Sequence, residues 1–126
     1  MDFNYSENQK LIAEMIRSFS LKEIDPNIKL WDDNQIFPIN VFKKLGKLGL
    51  MGVLVPQKYG GSGFGYAEYV TAIEELAKVD PSIGLSMAAH NSLCTGHIMQ
   101  FGNEEQKKKY LPKLASAEYL GAWALT

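Results

Sequence analysis

The chain has 126 residues, of which 46% are apolar and 21% charged, a balance typical of one soluble globular domain that excludes an intrinsically disordered chain. Its 13 basic and 14 acidic residues give a net charge of −1, and Arg17 is the only arginine, so the positive excess that a non-specific nucleic-acid binder needs is missing. The single cysteine, Cys94, excludes an intrachain disulfide and a zinc site built on several cysteines.

The N-terminal segment predicts a helix and not a targeting signal. It lacks a basic start followed by an apolar run, and no uncharged apolar stretch of the chain reaches the ~20 residues of a membrane span, so we expect a cytoplasmic protein. Ser6 and Gln9 match a capping box, which predicts a helix start near Glu7. The apolar stripe of this helix consists of Leu11, Ile12, Met15, Ile16 and Phe19. Asp25 and Pro26 then allow either a stop or a kink in one longer helix.

A second helix, a connector and a glycine-rich loop follow. Pro38 opens the helix and Gly49 suits its end. The apolar run 50–55 has no partner strand, so we expect a buried, extended connector. The loop 59–65, YGGSGFG, lacks the GxGxxG register and a following GK[ST], which favours a tight turn over a phosphate site.

Two helices of different character come next. The helix at about 66–78 is predicted to bury Tyr69, Val70, Ile73, Leu76 and Ala77. Its acidic residues, Glu68, Glu74 and Glu75, are predicted to face solvent or the helix start. Asp80 and Pro81 start the fourth helix, 82–101, which has no charged side chain and many small ones. A helix of this composition is expected to be buried on most sides and to let a ligand or another backbone approach closely.

The last part of the chain predicts one more helix and a strand. Asn103 and Gln106 form the helix start signal. The tail 118–126, EYLGAWALT, is rich in apolar and aromatic residues and favours a strand. It is the only good strand pattern in the chain, so the strand has no predicted partner.

The residues that could carry chemistry form no complete catalytic set. His90 and His97 are separated by two helical turns, ~10 Å, which is too far for one metal ion, so we expect no metal site. Cys94 and His97 can touch at i, i+3, but a nucleophilic thiolate also needs an orienting group and an oxyanion hole. A buried thiol and core or pocket histidines are favoured, although a cysteine-dependent enzyme stays an alternative.

Four stretches, in order, resemble acyl-CoA dehydrogenases, and the resemblance as a whole extends over essentially the whole chain. They are LGLMGVLVPQKYGGSGFGY (48–66), EELAKVDPSIG (74–84), NSLCTGHIMQFGNEEQKKKYLPKLASAEYLG (91–121) and AWALT (122–126). The resemblance implies an all-α fold, the N-terminal helical domain of that family in residues 1–117. Residues 118–126 would then be the first strand of the following middle β-domain, ending before the EPxxGSD-like segment of the family.

The same resemblance implies the activity. Family members use FAD to oxidise a fatty acyl-CoA to the trans-2-enoyl-CoA, usually pass electrons to an electron-transferring flavoprotein, and are commonly tetrameric. Their catalytic carboxylate lies much later in the chain, so we expect the present residues to be inactive alone. Acyl-CoA oxidases and related flavin monooxygenases share the fold and stay open. The alternative from another class is a stand-alone helical interaction module derived from this domain.

The resemblance also assigns site residues. The cofactor-binding residues are expected to be Trp123, Ala124, Leu125 and Thr126, at the start of the flavin-binding strand. The acyl-chain pocket is expected to be lined by Leu85, Ser86, Ala89, His90 and Leu93 on the fourth helix. Family members for dicarboxylic substrates carry an arginine on this helix; its absence here implies a monocarboxylic acyl chain.

Overall fold

The computed structural model describes residues 4–125, and these residues are helical throughout except for turns, loops and the tail. The α-helices are α1 (Glu7–Glu23), α2 (Ile28–Asp33), α3 (Ile39–Lys47), α4 (Tyr66–Val79), α5 (Pro81–Ala88), α6 (Gly96–Phe101) and α7 (Glu104–Ala115). A π-helical segment (Ala89–Thr95) joins α5 to α6, and 3₁₀ turns lie at Asp25–Asn27, Leu50–Gly52 and Gln57–Tyr59. The all-α prediction is confirmed. Among the described residues, no helix is both long and apolar enough to span a membrane.

The helix starts follow the capping signals of the sequence. Ser6 accepts a hydrogen bond from the backbone N–H of Gln9, whose side chain bonds back to the Ser6 N–H, and α1 begins at Glu7 as predicted. Asn103 and Gln106 form the same reciprocal pair at the start of α7. At the other end, α1 ends at Glu23, and the 3₁₀ turn Asp25–Asn27 leads directly into α2. The structure therefore lies between the two alternatives, because the α-helix ends but the chain stays helical.

The core lies where α4 packs between α1 and α5, and it extends to α3 and the turn Leu50–Gly52. The large side chains with no more than 1% exposure include Ile16, Phe42, Leu45, Met51, Leu76, Ile83 and Met87. The segment 50–55 is buried as predicted, but it is not extended. It forms the 3₁₀ turn Leu50–Gly52 followed by a tight turn. The carbonyl oxygens of Val53 and Val55 accept N–H groups of the glycine-rich loop, and the side chain of Asn91 bonds Leu50 and Val53.

The buried face of α4 differs from the predicted one. Tyr69 and Leu76 are buried as predicted, whereas Val70 is 58% exposed and Glu75 is 1% exposed. The reason is that α4 has two neighbours: α1 covers the side that carries Thr71 and Glu75, and α5 covers the side near Tyr69. Packing on two sides turns the apolar stripe away from Val70.

Glu75 is stabilised as a charged group by two cations. Arg17 on α1 donates two hydrogen bonds to its carboxylate, at 2.6 and 2.9 Å, and Lys78 donates a third at 2.7 Å. The bond from Arg17 is the main cause that lowers the pKa of Glu75 from 4.5 to about 2. The only arginine of the chain therefore ties α1 to α4.

We expect Glu75→Gln to lower the free energy of unfolding at pH 7 by about 2 kcal/mol, a value that allows for screening by solvent around the exposed Arg17. Because the pKa is depressed in the folded state, the stabilisation is complete above about pH 4.5 and is lost as the pH falls toward 2. Denaturant unfolding at several pH values measures this. Glu74→Gln, at the exposed neighbour, is the matched control, and equal pH profiles for wild type and Glu75→Gln would contradict the account.

The tail differs from the strand that its composition predicts. Residues 120–125 carry no regular secondary structure, and no strand forms within residues 4–125. A strand needs a second strand to accept and donate its ladder hydrogen bonds, and the described residues offer only helices and turns. The tail instead lies against the π segment, which its hydrogen bond from Gly121 to His90 shows.

Candidate functional site

An open cavity of about 350 Å³ lies between the helix α5–π segment and the tail. It is lined by Phe37, Phe42, Met51, Ser86, Ala89, His90, Leu93, Leu120, Gly121, Ala122 and Trp123. None of these side chains carries a formal charge when the histidine is neutral. The wall is therefore largely apolar, with a hydroxyl and an imidazole as its polar side chains.

The structure brings four of the five predicted pocket residues to this cavity. Ser86, Ala89, His90 and Leu93 share one face of the helix and line the cavity together. Leu85 does not line it and is 71% exposed. One residue step along an α-helix turns the side chain by about 100°, so Leu85 lies on the neighbouring face from Ser86.

Of the predicted cofactor residues, one lies at the same cavity. Trp123 lines the cavity and is 46% exposed. Ala124 is exposed and Leu125 is 79% exposed, and both lie beyond the cavity lining. Thr126 lies outside the described residues. One predicted flavin contact thus adjoins the predicted acyl-chain pocket.

His90 is buried, and hydrogen bonds determine which of its nitrogens carries the proton. Nδ1 accepts the backbone N–H of Gly121 at 2.9 Å. Nε2 therefore carries the hydrogen and donates to the carbonyl oxygens of Met51 and Leu114, at 3.0 and 3.1 Å. Burial lowers the pKa of His90, although both carbonyl bonds act in the opposite direction. Burial and the N–H that Gly121 donates to Nδ1 thus favour a neutral imidazole in the cavity wall.

Asn91 makes the second polar connection of the π segment. Its Oδ1 accepts the N–H of Val53 at 3.3 Å, and its Nδ2 donates to the carbonyl oxygens of Leu50 and Met87 at 3.0 and 3.2 Å. The side chain is 2% exposed. The neighbouring side chains of His90 and Asn91 thus hydrogen-bond the backbone of the turn Leu50–Gly52, of which Met51 lines the cavity. A π-helical stretch frequently marks a functional region, and this one carries three cavity-lining residues.

Sequence reasoning missed the role of Asn91 and the π segment. The segment has no distinctive residue pattern, because the seven residues AHNSLCT fit an ordinary α-helix. One signal was available: a His–Asn pair stands in a helix without charges that was expected to be buried. Buried polar side chains need hydrogen-bond partners, and backbone groups of an irregular turn are the usual partners.

The contacts of His97 and Cys94 disfavour both the metal-site and the thiolate alternatives. His97 Nδ1–H donates to the Leu93 carbonyl at 2.6 Å, while both nitrogens of His90 bond backbone groups. Burial raises the pKa of the Cys94 thiol, partly offset by a hydrogen bond from the Ala122 backbone. A thiol with a raised pKa is protonated at neutral pH and is a poor nucleophile.

The glycine-rich loop is a tight turn, as predicted. Gly60 and Gly63 adopt positive φ angles of 82° and 67°. The N–H groups of Ser62, Gly63 and Phe64 bond the carbonyl oxygens of residues 52, 55 and 53. These amides hold the loop onto the turn 50–55 and are occupied, so they do not form an anion site.

Comparisons with known proteins agree on one family. The family model described as Acyl-CoA dehydrogenase, N-terminal domain, matches residues 6–118. The short-chain specific acyl-CoA dehydrogenase of Clostridium acetobutylicum is 42% identical over 126 residues, which are 100% of this chain and 33% of that protein. The structure of butyryl-CoA dehydrogenase from Megasphaera elsdenii superposes with a TM-score of 0.89 and 35% identity, over 95% of this chain and 32% of that one. An acyl-CoA dehydrogenase complexed with FAD from Bacillus anthracis gives a TM-score of 0.86 and 34% identity, over 93% and 20% of the two chains. The present chain spans about a third of the length of the curated relatives that it matches.

Proposed function

Because this chain belongs to the acyl-CoA dehydrogenase family, we propose that it supplies the acyl-chain pocket and one side of the flavin site of a flavin-dependent enzyme that oxidises a fatty acyl-CoA to the trans-2-enoyl-CoA. The observation that carries the proposal is the uncharged cavity whose wall combines Ser86, Ala89 and Leu93 with Trp123. An alkyl chain binds best in a concave, apolar wall, and small side chains leave it room. We propose that Leu85, which is exposed beside this wall, contacts a part of the acyl chain that lies outside the cavity.

The cavity wall supports a monocarboxylic acyl chain. A second, distal carboxylate would need a cation within the pocket, because an unpaired buried charge is strongly unfavourable. The lining residues include no lysine or arginine, and burial together with the N–H that Gly121 donates to Nδ1 favours the neutral form of His90. The wall therefore offers such a carboxylate no partner.

The tail has features that fit a flavin ring. The half-exposed indole of Trp123 offers an aromatic face beside the cavity. Backbone groups of Ala124 and Leu125 make no hydrogen bond within residues 4–125, so they are available to the polar edge of an isoalloxazine. When bound, the flavin supplies the hydride acceptor. We propose Trp123, Ala124, Leu125 and Thr126 as the flavin contacts of this chain.

In this proposal the residues of the chain bind and orient, and they do not move the substrate proton. No carboxylate is among the described residues that line the cavity, so in this proposal the base that removes the α-proton comes from another part of the full-length protein and the present chain is inactive alone. The apolar wall holds the alkyl chain and excludes water from it.

The wider features of the full-length protein belong to the same proposal. They are the division into a helical domain, 1–117, and the start of a β-domain, 118–126, electron transfer to an electron-transferring flavoprotein, a homo-oligomeric assembly and a cytoplasmic location. Their support is the family resemblance and, for the location, the composition of the sequence.

The test is anaerobic mixing of the full-length FAD protein with saturated fatty acyl-CoAs. We expect the flavin absorbance to bleach and mass spectrometry to find a product that has lost two hydrogen atoms. The 126-residue chain with added FAD is the control and should give no product. A full-length flavoprotein that a series of straight-chain and branched acyl-CoAs leaves fully oxidised would contradict the proposal.

A further inference from the structure

Three side chains of the helical segment 89–101 contact the tail within residues 121–123. His90, Cys94 and His97 stand at i, i+4 and i+7, a spacing that places them along one helix face. His90 and Cys94 meet Gly121, and His97 meets Trp123, so the order along the helix matches the order along the tail. The tail therefore runs along the helix in a fixed register, although it is not paired in a sheet.

The first contact fixes the register. Gly121 donates its N–H to Nδ1 of His90 at 2.9 Å, and the imidazole is itself held by the carbonyl oxygens of Met51 and Leu114. A ring bonded at both nitrogens cannot turn without breaking these bonds. The acceptor that Gly121 meets is thus rigid and buried.

The second contact depends on close approach. A methyl group on Gly121 would lie 2.5 Å from Sγ and 2.6 Å from Cβ of Cys94, closer than side-chain atoms pack. Only glycine lets the tail backbone lie directly on the thiol. The Cys94 sulfur thus lies against the backbone of the tail at Gly121.

The third contact fixes the position of the Trp123 indole, the aromatic ring of the tail that borders the cavity. The ring centroids of His97 and Trp123 are 4.3 Å apart, with an angle of 57° between the planes. The bond from His97 Nδ1–H to the Leu93 carbonyl fixes the orientation of the imidazole. The position of the indole therefore follows from the helix and not from the tail alone.

We propose that His90, Cys94 and His97 form a tail cradle, a set of positioning residues that holds 121–123 and thereby aims the flavin-contacting residues that follow. The aiming of the flavin contacts rests on the proposed function. The contacts of the cradle with the tail do not, because they lie within the present chain. The cradle also gives the two histidines and the cysteine one common role.

The first test uses the 126-residue chain, without flavin. Gly121→Ala forces the tail off Cys94, and we expect the protection of the residue 121 amide, which bonds His90, to fall at least about tenfold relative to its intrinsic exchange rate, while the thermal unfolding midpoint changes little. Gly96→Ala is the matched control, because the nearest atom to its new methyl group is 3.4 Å away, an ordinary contact.

Fluorescence gives a second measurement on the same two variants. In a Trp31→Phe background, the emission of Trp123 should change in Gly121→Ala and not in Gly96→Ala. Equal exchange and emission in the two variants would overturn the cradle.

A second pair of variants tests the hydrogen bond. His90→Asn places an acceptor where Nδ1 lies, and His90→Gln places a donor where Nε2 lies. We expect tail protection to survive better in His90→Asn than in His90→Gln, although the asparagine variant loses the carbonyl bonds. The reverse order would overturn the assigned role of Nδ1.

The final test measures FAD affinity in the full-length protein. We expect Gly121→Ala to raise the dissociation constant of FAD by about tenfold or more, as displacement of a positioned contact segment commonly does, and Gly96→Ala to leave it unchanged. If the tail loosens in the short chain but FAD affinity does not change, the positioning role is overturned while the proposed function stands. If the wild-type full-length protein binds no FAD, the proposed function and the flavin role fall together, and the exchange data still decide the cradle.

Discussion

Replacement of Asn91 by leucine is expected to lower the free energy of unfolding by about 2–4 kcal/mol, because the change leaves buried backbone groups without partners. The amide of Asn91 bonds the N–H of Val53 and the carbonyl oxygens of Leu50 and Met87, and the side chain is 2% exposed. Leucine has a similar size and cannot replace these bonds. Denaturant unfolding at pH 7 measures the loss.

Two further variants make this result specific. Asn40→Leu, at an exposed position of α3, should change stability by less than about 0.5 kcal/mol. Asn91→Asp keeps an acceptor for Val53 but turns the donor into an oxygen that faces two carbonyl groups. We expect it to be destabilised at pH 7 and to recover partly toward pH 5, where a buried carboxyl protonates and donates. Stability of Asn91→Leu within 0.5 kcal/mol of wild type, the bound set for exposed substitutions, would contradict the role of Asn91.

Replacement of Ala89 by phenylalanine is expected to shorten the acyl chain that the full-length enzyme accepts. Ala89 lies in the cavity wall between Ser86 and Leu93, so a larger ring there occupies the space proposed for the alkyl tail. We expect kcat/KM for the longest chain that the wild type oxidises to fall at least about tenfold, with a smaller effect on the shortest chains. Steady-state kinetics over a series of chain lengths measures this shift.

The controls separate a filled pocket from a damaged fold. FAD affinity and the unfolding midpoint should stay close to wild type in Ala89→Phe, and Ser86→Leu should shift the chain-length profile in the same direction. Ser18→Phe, on the exposed side of α1, adds the same ring on a helix that contributes nothing to the cavity lining. An equal loss for short and long chains in Ala89→Phe would contradict the position proposed for the acyl tail.

Local signals of the sequence predicted the helix starts well. The capping boxes of Ser6 with Gln9 and Asn103 with Gln106 involve residues three apart, so the sequence contains all their partners. The Asp80–Pro81 start is local in the same sense, since Asp80 caps the N–H groups of Ser82 and Ile83. The common face of residues 86, 89, 90 and 93 follows from helical periodicity alone.

Features that depend on tertiary packing were not predictable in this way. Glu75 is buried because Arg17, 58 residues away in sequence, reaches it from α1, and a helix periodicity does not show such a partner. The prediction of an extended conformation for 50–55 was wrong for the same reason, because Asn91 and the glycine-rich loop form the hydrogen bonds of its backbone. The tail was expected to be a strand from its composition, but strand formation needs a partner that the described residues lack.

The candidate site shows both cases in one place. The lack of charged side chains in the predicted helix 82–101 indicated an apolar wall, and the family resemblance assigned the residues that line it. The link from His90 to Gly121 spans 31 residues and joins two segments whose local patterns, a helix and a strand, give no reason to meet. This contact is visible only in the folded chain. It shows that His90 not only lines the pocket but also holds the tail at Gly121.

The most direct test of the account is a crystal structure of the full-length protein with FAD and a saturated acyl-CoA analogue. We predict that alkyl carbons contact Ser86, Ala89 and Leu93 within the cavity and that the isoalloxazine lies beside Trp123. An acyl chain bound elsewhere, with the cavity filled by side chains of the protein itself, would contradict the account.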